Sequence, residues 1–531
     1  MPDLLVTGTI HTLDPVRPRA EALLARDGRI VSLGSAVACR SEMRPDAERI
    51  DLGRGCAVPG LGDAHGHVLL HARSLEEVQC GDSSDEAECA SRARERAAAL
   101  PAGTWVRGRG WDEHRWPGRA LPTERALTAA VPGHPAALER LDGHALWVNA
   151  RALGLAGIGR DTPDPPGGRI LRDERGLPTG VLVDAAQELV LGRIPRPGAA
   201  EVERLLRAGL EDLVRHGLTT VHDAGCTSST MDAYARMAAA DRLRVRVYAM
   251  IDGHQAEDSL AAELARWRDA RPPARLAVRA VKLFADGALG SRGAALIDGY
   301  ADDPGNRGLF LTPPERLRGR IERVARAGFQ PAVHAIGDHA CREVLRAFAE
   351  LARQGLLRGL RPRVEHLQIV RREDLALLTE AGAVASMQPV HATSDGPWAV
   401  ERLGEGTPAQ RGAYAWRQVL AAGAPLAFGS DFPVDSPDPR LGLFAAEVRT
   451  PAGATGPWMP GERLRREEAL RAFTWGVAYA SFAEERRGVL REGADADLTA
   501  FSEDLLEVEA ERLPAIPVLA TVIGGRVEYA G

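Results

Sequence analysis

The stretch "RLRGRIERVARAGFQPAVHAIGD", residues 316–338, decides how the rest of the chain reads. Its first thirteen residues place Leu317, Ile321, Val324 and Ala325 at helical spacing and stop on Gly328, a residue suited to a helix C-terminus. A short apolar run, "QPAVHAIGD" (330–338), follows at once and carries His334 near its end. A helix that feeds a short apolar strand is half of a parallel βα unit.

Working outward, the same unit recurs from about residue 217 onward. The runs are "LTTVHDAG" (218–225), "RVRVYAMID" (244–252), "VRAVKLFADG" (278–287), "RVEHLQIV" (363–370), "AVASMQPV" (383–390) and "PLAFGSDFPV" (425–434). Helical segments such as "REDLALLTEAG" (372–382) lie between them. Counting back, "CAVPGLGDAHGHVLL" (56–70) supplies one further strand and brings the number to eight. Eight βα units predict an α/β fold, a (β/α)8 TIM-like barrel over residues 58–486, whose reactive residues gather at the C-terminal ends of the strands.

Two segments fall outside this repeat. Residues 1–57 ("LLVTGTIHTLD", "EALLARDGRIVSLG", "AERIDLG") and 487–531 ("GVLREGADADLTAFS", "VLATVIGGRVEYAG") read as meanders, and together they predict a small composite β-sandwich built from both termini. The stretch from about 73 to 216, after the first barrel strand, is too long for a crossover. It predicts an insertion that forms a lid or pocket wall.

Hydrophobic residues make up 45% of the chain, charged residues 26%, and the net charge is -6. These values describe a globular protein and offer no basic field to a nucleic acid. The first fifteen residues lack the basic flank and apolar run of a secretory signal, and no stretch is long enough to span a bilayer. The expectation is therefore a cytoplasmic protein with a small-molecule substrate and neither a nucleic-acid nor a membrane partner. Six scattered cysteines form no CxxC pair and read as reduced, buried thiols.

Of 67 basic side chains, 66 are arginine and one is Lys282. A GC-rich coding sequence accounts for the excess of arginine, yet it does not account for the one lysine that was kept. On the barrel reading, His65 and His67 stand at the end of the first strand, Lys282 on the fourth, His334 and His366 on the fifth and sixth, and Asp431 at the end of the eighth. Two histidines two apart on a strand point the same way and can share an ion. Imidazoles and a carboxylate suit zinc or a similar divalent metal. An ammonium group does not, so Lys282 fits this set only as the carbamate formed from carbon dioxide. Arginine stays protonated and cannot make that group.

The chain resembles the amidohydrolase superfamily, in its branch of YtcJ-like proteins and N-substituted formamide deformylases. Beyond the candidate ligands, the likeness includes "GRGWDEHRWP" (108–117), "LERLDGHALWVNARAL" (138–153), "GGRILRDERGLPTGVL" (167–182), "VKLFADGALGSRGA" (281–294), "MQPVHATSD" (387–395) and "ATVIGGRVEY" (520–529). The resemblance implies one metal on His65, His67 and Asp431, a second on His334 and His366, and carbamylated Lys282 as a bridge between them. It also implies a homodimer. Gly66, between the two histidines, is smaller than the residue usual there.

The activity expected is hydrolysis of a carbon-nitrogen bond other than a peptide bond, in an amide or formamide, by a hydroxide bridging two metal ions. Asp431 and Lys282 are the expected catalytic residues, with Asp431 moving the proton from water to the leaving amine. Candidate pocket residues are Trp111, Asp112, Arg140, His144, His222, Asp286 and His391. Two other readings use the same chain: a hydrolytic deaminase on this scaffold, which the bridging lysine disfavours, and a metal-free scaffold protein, which would have lost ligands that are all present.

Overall fold

Eight parallel strands, one for each predicted run, form a nearly closed barrel: β1 (Leu61–Gly66), β2 (Leu218–Cys226), β3 (Arg246–Asp252), β4 (Leu276–Phe284), β5 (Gln330–Ala335), β6 (Arg363–His366), β7 (Val384–Met387) and β8 (Leu426–Phe428). The computed structural model describes residues 2–273, 275–451 and 453–531. Neighbouring strands pair in sequence order from β1 to β8. Helices pack on the outside because their buried side chains fall on one face. The helix Ala199–Arg215 buries Val202, Leu205, Leu206, Leu210, Leu213 and Val214, the i, i+3, i+4 stripe that lets a helix lie on a sheet. Val221, Val247, Ile251, Val281, Leu283, Val333 and Val364 from the strands share one apolar core with the helices.

Strands β1 and β8 meet at the barrel's mouth. The Asp431 amide donates to the His65 carbonyl at 2.7 Å and the His67 amide to the Phe432 carbonyl at 2.9 Å. Gly429 permits this approach, since a Cβ there would lie 2.4 Å from Asp63 Oδ1 and 2.6 Å from the His65 nitrogen.

The run at 56–70 proves to be two strands. Residues Glu48–Pro59 belong to the terminal sheet, and the barrel begins only at Leu61. Gly60 makes the transfer: a Cβ at this residue would fall 2.4 Å from Thr219 Oγ1. An unbroken apolar run conceals such a change of sheet, because both strands are buried.

The two ends of the chain pair in one seven-stranded sheet, ordered 526–530, 518–523, 498–501, 48–59, 4–11, 19–26, 29–34. This sheet folds back on itself. Ile30 donates to the Ala494 carbonyl, Ala496 to Gly28 and Gly525 to Ala496, all at 2.9–3.0 Å, so side chains from both halves enclose one core that includes Leu4, Leu23, Leu33, Leu498 and Val522. Arg246 on β3 joins this sheet to the barrel through Asp497, at 2.6 and 2.9 Å.

Residues Leu70–Glu201 make a second compact unit. Its six-stranded sheet runs in the order 168–172, 178–184, 145–148, 136–140, 106–111, 78–79, around a core that holds Trp111, Trp116 and Trp147. Residues 202–215, which the sequence places in the insertion, form a helix of the barrel unit, because their apolar stripe is buried in the barrel's core. Among the described residues no helix is long and apolar enough to cross a membrane. All six cysteines are buried and free.

A side chain at Gly429 must displace backbone or Asp63. Gly429→Ala is expected to cost about 1–3 kcal/mol, the usual range for overpacking, read as a lowered urea midpoint with an unchanged slope.

Candidate metal centre

The C-terminal ends of the strands bring His65, His67, Lys282, His366 and Asp431 together, with His334 beside them. Lys282 Nζ lies 3.1 Å from His65 Nε2. Asp431 Oδ1 lies 3.2 Å from His67 Nε2 and 3.6 Å from His65 Nε2. The rings of His65 and His366 are 4.8 Å apart, and those of His366 and His334 4.6 Å. Two triplets have ligating atoms within 4.8 Å of one another: His65, His67 and Asp431, and His366, His391 and Asp431. The sequence assigned His391 to a substrate pocket; it stands on the first turn of the helix Pro389–Leu403, its ring stacked 6.2 Å from that of His366.

Two candidate ligand positions are held in left-handed backbone conformations, His366 at φ 72° and Asp431 at φ 60°. Such geometry costs about 1–3 kcal/mol for a residue with a Cβ. The turn at His366 breaks the strand's alternation, so that Glu365 and His366, neighbours in sequence, both reach the site.

Partners fix the ring orientations. His65 Nδ1 donates to Glu365 Oε2 at 2.6 Å, and His366 bonds through Nδ1 to Gln388 Oε1 at 2.9 Å. Gly66 leaves room for Phe432, whose ring atom Cε1 lies 2.2 Å from where a Cβ would sit. The small residue of the HxH pair is therefore required by the aromatic side chain that follows Asp431.

Burial governs the protonation states. Desolvation, with the positive charge of Lys282 acting in the same direction, pushes His65 down to about 4 and His334 to about 3. His366 is held well below its ordinary value by burial and by the neighbouring His334. These imidazoles are neutral, as ligands must be. Burial lowers Lys282 to about 8, against the pull of Glu365 and Asp431. For Asp431, burial favours the neutral acid, yet the hydrogen bond from His67 prevails and keeps it well below the usual carboxylate range.

Each of the remaining pocket candidates has protein partners of its own. Trp111 is a core residue of the second unit, with its indole N–H on the Leu138 carbonyl at 2.8 Å. Asp112 caps the turn that begins at Glu113 and accepts from the His114 amide. Arg140 pairs with Glu113 at 2.9 Å, and His144 is an exposed partner of Asp184. His222 is fully buried inside the barrel against Arg363. Asp286 is also fully buried and grips backbone, accepting from the amides of Ala295 (2.8 Å), Ile336 (3.0 Å) and Gly337 (2.9 Å). Conserving the hydrogen bonds of two loops occupies that carboxylate completely.

Sequence reasoning missed Glu365, Arg363, Gln388 and Asp63. A signal was present for two of them: Arg363 and Glu365 place opposite charges two apart on a strand buried on both faces, where unpaired charge is costly. Asp63 accepts from the amide and hydroxyl of Ser430, at 3.0 and 2.7 Å, and from the His65 amide at 2.9 Å. It thus fixes both strands that carry the first triplet.

A third donor cluster, His11, Cys56 and Asp504, lies in the terminal sheet. Its groups satisfy one another and the backbone: His11 bonds Asp504 at 2.7 Å, and Cys56 accepts from the Leu505 amide. Burial, with Asp504 nearby, pushes the thiol up to about 12.

The fold and its buried cluster define a barrel enzyme with donor atoms converging at the C-terminal mouth, the place where barrel enzymes do their chemistry. The chain belongs to the Amidohydrolase family, whose model matches residues 48–529, and it is a hydrolase. It is 33% identical to the protein YtcJ of Bacillus subtilis (strain 168), named as an amidohydrolase, over 98% of both chains. It is 29% identical to the N-substituted formamide deformylase of Arthrobacter pascens, over 99% of this chain and 98% of that one. Among solved structures, a metal-dependent hydrolase from Pyrococcus furiosus of uncharacterized function superposes with a TM-score of 0.79 at 26% identity, covering 95% of this chain and 100% of that chain.

Removing the Asp286 carboxylate leaves three buried backbone N–H groups without an acceptor. At about 1–3 kcal/mol for an orphaned group, Asp286→Ala is expected to cost several times what Asp112→Ala costs in a denaturant titration of the same protein.

Proposed function

We propose that this hydrolase cleaves the carbon-nitrogen bond of an amide or formamide, using two divalent ions and a carbamate on Lys282. The observation that carries the reading is the single lysine, fully buried, with its amine 3.1 Å from His65 Nε2 and an acidity moved down to about 8. A lysine serving as a permanent cation has no need of such burial. An amine that must react with carbon dioxide has to be neutral first.

The donor set fits metal. Among the described residues, His334 Nε2 and His391 Nε2 are buried atoms without a hydrogen-bond partner, and unpartnered buried polar atoms of this kind need an explanation such as an ion. His65, His67 and Asp431 would hold one ion, His334 and His366 the second, and the Lys282 carbamate would join them. His391 shares the second triplet. Imidazole and carboxylate donors suit zinc. When bound, such ions make water nucleophilic near neutral pH and polarise a carbonyl oxygen.

The chain's own groups account for the rest. Asp431 is ionised, so Oδ1 can take a proton from the attacking water and hand it to the departing amine, whose expulsion needs it. Glu365 and Gln388 keep the imidazoles turned toward the substrate, and Asp63 ties β1 to β8 so that Asp431 stays beside them. Support for an amide-type substrate comes from family membership and from the relative whose name is N-substituted formamide deformylase.

Metal analysis of the purified protein is expected to find about two equivalents. A screen of formamides, N-acyl amines and cyclic amides with reconstituted enzyme is expected to give turnover on at least one class; hydrolysis of amidine-type substrates alone, with one equivalent of metal, would replace this reading with a deaminase. Lys282→Ala is expected to lose metal and activity and to recover part of each with a short carboxylic acid, whereas full turnover by Lys282→Arg contradicts the carbamate. At a fixed concentration of dissolved carbon dioxide, reconstitution is expected to quicken as pH rises from 6.5 toward 8 and to level off above it. The sign follows from the lowered acidity: the amine gains its neutral form as pH passes about 8, where an ordinary lysine would still be charged.

A further inference from the structure

Arg363 lies wholly inside the barrel with no exposed surface, and its guanidinium reaches one histidine directly and a second, on the adjacent strand, through Glu365. Its NH1 is 2.8 Å from His222 Nδ1. Its Nε and NH2 clamp both oxygens of Glu365, at 2.7 and 3.0 Å, and NH2 also reaches the Ala64 carbonyl at 2.7 Å and Ser386 Oγ at 3.0 Å. The far oxygen of that clamp, Glu365 Oε2, meets His65 Nδ1 at 2.6 Å.

These contacts leave no freedom in where the ring protons sit. A guanidinium can only donate, so His222 Nδ1 accepts and its single proton is on Nε2. An ionised carboxylate can only accept, so His65 Nδ1 donates and the Nε2 lone pair is free. One arginine thereby gives opposite tautomers to two imidazoles that face the same interior. The consequence for His65 is visible in the structure, where Lys282 Nζ stands 3.1 Å from Nε2. For His222 it is equally plain: Nε2 carries hydrogen, is buried and has no partner among the described residues.

We propose that Arg363 is the hub that sorts these histidines, through Glu365 making His65 a ligand and directly preventing His222 from becoming one. Glu365 is a positioning residue for the metal centre, not a ligand. His222 presents a fixed N–H at Nε2 in place of a lone pair, which explains why a histidine on the second strand adds nothing to either triplet. The part of the inference that concerns metal rests on the function proposed above; the assignment of tautomers does not.

Two measurements test it. In metal-free, full-length protein with 15N-labelled histidine, long-range 1H–15N correlation spectra, assigned with His65→Asn and His222→Asn, are expected to show His65 protonated at Nδ1 and His222 at Nε2. The reverse tautomer at either ring overturns the proposal whatever the metal content. In Glu365→Gln, which keeps an acceptor but not the charge, cobalt titration followed by visible absorption is expected to show one equivalent weakened by about 10–100-fold, the effect of losing a metal ligand's outer partner, while the other is unchanged. Equal affinity of both equivalents in a variant with native thermal unfolding overturns it. Absence of any cobalt binding in the unsubstituted protein would instead remove the metal reading and leave the spectra to decide the tautomers. Should Glu365→Gln fail to fold, the spectra of the unsubstituted protein still decide.

Discussion

Excluding water from the mouth of the barrel is the constraint on which the rest of this structure depends. His65, Lys282, Glu365, Arg363, His222 and Asp431 are all buried, and a charge or hydrogen-bonding group kept from water must find its partner within the protein. Replacing any one of them leaves another exposed to that penalty. The same dryness lowers the Lys282 amine toward neutrality and keeps the imidazoles unprotonated, so the conditions that make the cluster expensive also make it competent to take up cations.

Carboxylates that grip backbone, with no cation beside them, hold the cluster in place. Asp63 accepts from His65 and Ser430, Asp286 from three loop amides, and Asp223 from the Val68 amide and the Tyr234 hydroxyl, at 3.1 and 2.6 Å. Burial raises Asp63 and Asp286 to about 7. Each one binds the segment that follows a neighbouring strand, Ser430 after β8, Val68 after β1 and Ile336 after β5. The strained backbone at His366 and Asp431 is sustained by this scaffold; strain of this kind persists only where its surroundings overdetermine it.

Much of this was legible in the sequence. Each of the eight barrel strands overlaps a run read from helix-strand alternation and extends at most two residues beyond it, and the six ligand candidates stand at the strand ends where that reading puts them. Gly60 was not legible as a boundary, because the strands on either side of it are both buried and form one apolar run. What the sequence could not supply is the partners of Trp111 and Asp286: a tryptophan or an aspartate near a motif reads as a pocket residue, and here the partners are the Leu138 carbonyl and three backbone amides. Glu365 escaped notice because strand alternation turns it away from His366, and only the left-handed turn at His366 lets both face the site.

The central claim is that the one lysine of this chain serves as an anion. Crystallography of the metal-loaded protein with anomalous diffraction tests it most directly. The account predicts two anomalous peaks near His65 and His366, with continuous density extending past Lys282 Nζ to lie between them. A single peak, or an ammonium ending at Nζ and paired with Asp431 or Glu365, would contradict it.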